Sequence, residues 1–306
     1  MTASESQIAA APDAEFGVVP SDKPRGMFVR AWEVFAENKL ALAGLAFIVF
    51  ILLFCFVGPH IYHTDQVHTN LQLYMCTPSG QHLLGCNDLG YDIMGRLMVG
   101  GQTSLEVGLA TAAVAVLFGT IYGAIAGFTG GFVDSLMMRI VDAGLSLPSL
   151  MVIIILSVVF HPTPVVIIFI IAVFYWFGVA RVVRGETLAL RNREYVQAVK
   201  VIGGRPIRSV LRHIVPNAIG TIIVQVTFAV ADSIITLSVL GFLTLGVAPP
   251  NTDWGSMLQG GLTYIQGGNY WWLIYPPGVA IILTCIAFNF IGDALRDAFE
   301  TRLQRR

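Results

Sequence analysis

Two cysteines, Cys76 and Cys86, lie ten positions apart with Pro78-Ser79-Gly80 and His82 between them. Pro-Ser-Gly is a turn signal, so the chain can fold back and bring the two sulfurs together. A disulfide is the expected chemistry, because these residues fall on the side of the membrane assigned below as external, where thiols are oxidised. A metal site would need His82 and a further ligand in tetrahedral array; no metal is expected. Cys55 and Cys285 lie inside apolar runs and are expected to be small packing residues. One acid, Asp232, stands alone in the apolar run from Ala218 to Thr252. A carboxylate near a bilayer midplane costs about 2.5–3.5 kcal/mol on insertion scales, so it must face the bundle interior, paired or wet. It reads either as a polar group in a translocation path or as a helix-packing hydrogen bond.

Motor and hydrolytic chemistries are missing. A P-loop needs Gly-Lys for its lysine to reach the phosphates; Lys23, Lys39 and Lys200 are the only lysines and none follows a glycine. There is no His-Glu-x-x-His and no Gly-x-Ser-x-Gly turn. No catalytic residue and no cofactor are therefore expected of this chain. Gly130-Gly131 and Gly203-Gly204 read as helix corners.

The elements that position these residues follow from composition. Of 306 residues, 55% are hydrophobic and 12% charged, half the charge of a typical soluble domain. Mean hydropathy is +0.72 and net charge −1. An ordinary cytosolic enzyme, a disordered chain and a nucleic-acid-binding domain are excluded; an all-α polytopic membrane protein is expected. A helix needs about 20 apolar residues to cross a bilayer. Six spans satisfy this: Leu40 to Val57, Val107 to about Phe128, two within Ala143 to Ala180 divided at His161-Pro162-Thr163-Pro164, one from Ala218 with an extended or re-entrant tail to Thr252, and Leu273 to Ile291. The proline pair divides the fourth from the third because proline lacks an amide and restrains the residue before it.

Basic residues orient the spans. Four precede span one, one (Arg139) follows span two, eight lie between spans four and five, and four lie in the C-terminal tail; of 18, only Arg96 falls on the other side. Both termini are thus expected in the cytoplasm. Residues 1–30 read as a flexible cytoplasmic segment, and Trp32 and Phe35 as part of a short helix at the membrane surface. Residues 31–306 read as one six-helix domain with an external loop 59–102 and a cytoplasmic loop 184–216.

That cytoplasmic loop runs from Arg193 to Asn217. Tyr195, Val199 and Ile202 share one face of a short helix by their i, i+4, i+7 spacing. Gly203 and Gly204 stop it, and Pro206 opens the next. On spacing alone this is an amphipathic helix, a corner and a return helix.

The stretch resembles the EAA loop of ABC importer permeases: Gln197-Ala198-Val199, three residues, Gly203, nine residues, then His213-Ile214-Val215-Pro216. Gln197 stands where the family has an acid, and Val199 where it has a second alanine. The His-x-x-Pro-Asn ending is typical of peptide permeases. Further segments are similar to the C-type subunit of the dipeptide/oligopeptide family: His82 to Asp92 with Gly95-Arg96-Leu97 and Thr103 to Gly108; Ala126 to Asp134 with Met138-Arg139 and Asp142; Pro249-Pro250 with Trp254 to Leu258; and Phe288 to Asp297. At Leu237, near Leu240 to Gly246, the family usually has a Glu; Asp232 is an acid of this chain's own.

The resemblance implies a type I ABC importer permease fold in the bacterial cytoplasmic (inner) membrane. Tyr195, Gln197, Ala198, Val199, Ile202, Gly203, Gly204 and Pro206 would form the helix that docks on an ATPase subunit. The implied partners are a B-type permease subunit, two ATP-binding subunits or domains, an external peptide-binding protein and membrane lipid. ATP and Mg would sit on the ATPase partners. The competing expectation is a proton-coupled secondary transporter using Asp232.

Overall fold

In a computed structural model the chain is a bundle of long helices; residues 27–160, 163–194, 196, 212, 214–264, 268 and 270–304 are described. Ten helices matter here: α1 Met27–Glu37, α2 Lys39–Phe56, α3 Gly58–Ile61, α4 Ile93–Thr129, α5 Gly131–Ser146, α6 Ser149–Val159, α7 Pro164–Arg191, α8 Ile219–Phe242, α9 Trp254–Leu262 and α10 Trp271–Gln304. No strand occurs among the described residues.

Five helices, α2, α4, α7, α8 and α10, are long and apolar enough to cross a bilayer. The sixth candidate span differs from the continuous helix the sequence suggests: α5 and α6 meet at an 80° bend and are long and apolar enough only as a pair. Pro148 causes the break. It forces Leu147 into extended backbone (φ −80°, ψ 140°) and ends α5. Helix α7 starts at Pro164 with Thr163 Oγ1 capping the Val166 amide, where proline's missing donor is not needed.

The centre of the bundle is α4. It packs on α7, α8, α2 and α5, while α10 packs on α8, α2 and α1. Gly119, Gly123 and Gly127, four apart, form one stripe against α7; a Cβ on them would meet Trp176 and Val179, Ala180 and Arg184, and Thr187 in turn. Small residues at this spacing let two helix backbones approach, which is how packing substitutes for hydrophobic drive inside lipid. Over their most apolar stretches α8 is 56% buried and α2 28%, so α8 is interior and α2 peripheral. Outward-facing Phe50, Leu53, Leu117 and Ile282 are exposed apolar groups suited to lipid or to a second subunit. Helix α1 places Phe35 inward and leaves Trp32 exposed, the two rings stacked at 5.7 Å.

Helix α4 begins at Ile93, fourteen residues before the apolar run at Val107. The loop expected over 59–102 therefore gives its last ten residues to this helix. The polar start was missed because Arg96, Gln102 and Glu106 interrupt the hydropathy, although the Asp92 cap was visible in the sequence.

Candidate functional site

At one end of the bundle a cap is assembled from residues 62–92 and 243–264. Asp92 is its hub. One carboxylate oxygen accepts the Gly95 amide at 2.9 Å, capping α4. The other accepts the Tyr62 hydroxyl at 2.9 Å and lies 2.9 Å from His82 Nδ1. Burial, and then the Asp92 carboxylate, push the Tyr62 phenol above its ordinary value. Cys76 and Cys86 are joined as a disulfide with Cα atoms 4.8 Å apart, and the Cys86 amide donates to the Cys76 carbonyl at 2.9 Å. Gly85 makes this turn at φ +71°, in the left-handed region. Trp272 of α10 ties the turn down by donating its indole N–H to the Cys86 carbonyl at 3.2 Å. Cys76, His82 and Cys86 lie within 4.8 Å of one another, but sulfurs spent on each other offer no thiolate, and the imidazole is turned to Asp92; this donor set does not fit a metal.

The second half of the cap hangs on Trp254 and Asp253, both fully buried. The Trp254 indole donates to the Leu97 carbonyl at 3.0 Å and its amide to Ser104 Oγ at 3.2 Å, so α9 is pinned to α4. Asp253 and Ser256 form a capping box at the start of α9. Burial pushes the Asp253 carboxyl up, against the Ser256, Gly255 and Val247 donors that hold it down. Between these halves lies a cavity of about 340 Å³ lined by Asn87, Asp88, Arg96, Asn251, Ser256 and Gln259 among others.

In mid-bundle, Asp232 is on α8 with its side chain on the exposed face of the chain, not inside it. Next to it the Tyr175 hydroxyl of α7 donates to the Asp232 carbonyl at 3.1 Å and lies 2.7 Å from Thr236 Oγ1. Asp232 and the partly exposed Tyr175 put polar groups on an otherwise apolar face, while Thr236 itself is buried. Sequence reasoning found the acid but missed Tyr175, an aromatic in an apolar run that carries no polar signal of its own.

The opposite end is held by ion pairs. Arg184 of α7 makes a two-pronged contact with Asp134 of α5, Nε to Oδ1 at 2.5 Å and Nη2 to Oδ2 at 2.7 Å. Arg181 reaches Asp142. Arg191 Nη1 donates to the Gly127 and Phe128 carbonyls at 3.1 and 3.3 Å, covering the C-terminal carbonyls of α4. The arginines were read from sequence only as an orientation signal, since their partners lie 39 and 50 positions away. Tyr195, Gln197, Ala198, Val199, Ile202, Gly203, Gly204 and Pro206 lie outside the described residues. The positions flanking them are placed: Val196 and Ile214 are both fully buried in the main core cluster.

Five helices long and apolar enough to span a bilayer, with one bent helix pair, a cross-linked cap and a basic far end, define a multi-pass membrane protein. The chain belongs to the family described as binding-protein-dependent transport system inner membrane component, matched over residues 119–305. Residues 26–77 match the N-terminal transmembrane domain of oligopeptide transport permease C. It is 40% identical to the dipeptide transport system permease protein DppC of Bacillus subtilis, over 90% of this chain and 86% of that one. It is 39% identical to the oligopeptide transport system permease protein OppC of the same organism, over 98% and 97%, and 37% identical to OppC of Haemophilus influenzae, over 91% and 89%. These matches bear out the C-type peptide-permease resemblance and the type I importer fold. None of them supports a proton-coupled carrier.

Proposed function

We propose that this chain is the C-type membrane subunit of an ATP-driven importer of dipeptides or oligopeptides. The observation that carries the reading is similarity to peptide permease subunits along nearly the whole chain, together with the intact Gln197-to-Pro216 spacing. The subunit is non-catalytic: it has no phosphate-binding loop, and ATP with Mg is bound and hydrolysed by two partner ATPase subunits or domains. An external binding protein delivers the peptide, and a B-type permease supplies the other half of the path. The concentration of basic residues at the α5/α7 end supports a cytoplasmic location for that end and for both termini, in the inner membrane of a bacterium. The disulfide-bearing cap is then external.

The helix carrying Tyr195, Gln197, Ala198, Val199 and Ile202, with its corner at Gly203-Gly204 and restart at Pro206, docks on an ATPase. ATP binding draws the ATPases together and shifts the permease pair from an inward-facing to an outward-facing cavity, because ATP has higher affinity for one of the two states. Asp232 faces the second subunit across a wetted path, with Tyr175 beside it, since a carboxylate exposed on a spanning helix is too costly to leave against lipid. Reconstitution tests the reading. The four-part complex with its binding protein takes up radiolabelled peptide only with ATP, and this chain alone takes up none. Uptake by the isolated chain under a pH gradient would replace the reading with the proton-coupled one.

A further inference from the structure

We propose that the cavity around Arg96 is a peptide-terminus site in the permease itself, with Arg96 binding the carboxylate of a short peptide; the choice of ligand rests on the import reading above. Arg96 is the one Lys or Arg at the cap end. Its guanidinium lies over the Tyr91 ring, 4.7 Å from the centroid, and Nη1 donates to the Gln66 and Pro250 carbonyls at 3.3 and 3.2 Å. No carboxylate pairs with it among the described residues. Among the described residues the cap acids bond other groups than Arg96: Asp92 meets Tyr62 and His82, Asp65 meets His68, Asp253 Oδ1 accepts the amides of its own helix start, and one Asp88 oxygen accepts the Tyr264 hydroxyl. A half-buried arginine held in place by two neutral carbonyls and an aromatic face, and opening on a cavity, is set to receive an anion from outside.

The cavity says which kind. Its volume of about 340 Å³ is at the small end of ligand pockets, which run about 300–1,000 Å³. Asn87, Asn251 and Gln259 can exchange amide hydrogen bonds, while Ile93, Val247 and Met257 supply apolar wall. This mixture suits peptide backbone with small side chains better than inorganic phosphate. Asp88 lines the same cavity, one oxygen accepting the Tyr264 hydroxyl at 3.1 Å and the other unpartnered among the described residues. A zwitterion therefore finds a cation for its carboxylate and an acid for its ammonium group.

The test uses the whole reconstituted complex in nanodiscs, without binding protein or nucleotide, and ligand-observed saturation-transfer NMR with trialanine, trialanine amide and propionate. Trialanine binds saturably, propionate competes, and the amide binds about tenfold or more weakly, the size expected when a charge-assisted hydrogen bond is lost. Arg96→Gln removes the discrimination between acid and amide, and Arg96→Lys keeps most of it. Because the acid-amide comparison is made on the unaltered protein, a folding defect in R96Q does not decide the matter. Equal binding of acid and amide overturns the proposal, as does discrimination that survives in R96Q. Weakened docking of the binding protein in R96Q with unchanged trialanine binding also overturns it, in favour of an acidic side chain of that protein. If ATP-driven peptide uptake is absent but propionate still binds in an Arg96-dependent way, the import reading fails and the carboxylate site stands.

Discussion

The two ends of this bundle are fastened by different physics. At the cap, acids are held by hydrogen bonds: Asp92 by a backbone amide, a phenol and the His82 imidazole, Asp253 by the amides of its own helix. A disulfide and two indole N–H bonds close the rest. Most of these contacts join loop to helix start and leave little room to slide. At the basic end, α5 and α7 are joined by arginine–carboxylate pairs between long helices, Arg184 with Asp134 and Arg181 with Asp142. Such pairs hold a spacing but can re-form in a shifted register. The cap is cross-linked and pinned to helix starts; the basic end is held by side-chain ion pairs between helices, beside the segment that the proposed function assigns to ATPase docking.

The sharpest way to break that contrast is at Gly203, in the segment proposed to dock on the ATPase. Gly203→Asp puts a side chain and a negative charge on the proposed docking surface. If Gly203 occupies the left-handed region, it adds about 1–2 kcal/mol of backbone strain. The expected outcome is loss of peptide uptake with membrane insertion intact, and loss of ATPase subunits on copurification. Normal copurification together with normal binding-protein-stimulated ATP hydrolysis would show that the segment is only a connector.

The cap is next. Peptide mapping of non-reduced protein should recover Cys76 and Cys86 as one cross-linked species. Replacing both by serine should lower unfolding stability by about 2–3 kcal/mol, as chain entropy predicts for so short a loop, while ATPase copurification stays unchanged. Two free thiols in natively folded protein would remove the cross-linked half of the comparison.

At the basic end, Asp134→Ala leaves the Arg184 guanidinium partly buried without its carboxylate. The cost should be about 1–3 kcal/mol, read as a lower thermal midpoint in detergent. The Asp134→Ala/Arg184→Ala double variant should cost less than the sum of the single changes. Strict additivity would mean that the pair does not couple α5 to α7.

Much of this arrangement was legible in the sequence, and the exceptions have physical causes. Apolar run length located α2, α7, α8 and α10, because a span is specified locally by about 20 residues. The Cys76–Cys86 spacing and the turn at Pro78 pointed to a cross-link. The 80° bend at Pro148 was not anticipated, since hydropathy runs through the break. The Asp92 hub and the Arg184–Asp134 pair also escaped notice. Their members are 30 and 50 positions apart, and the residues between them carry no information about which two polar groups will meet. Asp232 was identified by type, yet its outward direction on α8 depends on how α7 and α8 pack, which periodicity alone does not fix.

The smallest expected effect concerns the buried acid that starts α9. Asp253 has a folded pKa above the ordinary carboxylate value of 3.8, because burial penalises its charged form more than the Ser256, Gly255 and Val247 donors favour it. Folded protein therefore holds this proton more tightly than unfolded protein. The associated stability is fully present below about pH 3.8 and is lost as pH rises through the folded value. Asp253→Asn keeps an acceptor for the Gly255 and Ser256 amides but has no charge to bury, and asparagine caps helices about as well as aspartate, so the change at neutral pH should stay within about 1 kcal/mol. The diagnostic is the slope. The stability of wild type relative to D253N, from thermal midpoints in detergent at a series of pH values between 4 and 7, should fall as pH rises. A relative stability that instead rises with pH would mean that the Asp253 carboxylate is held by its donors more strongly than burial opposes it, and the cap would then rest on a charged anchor like those at the other end.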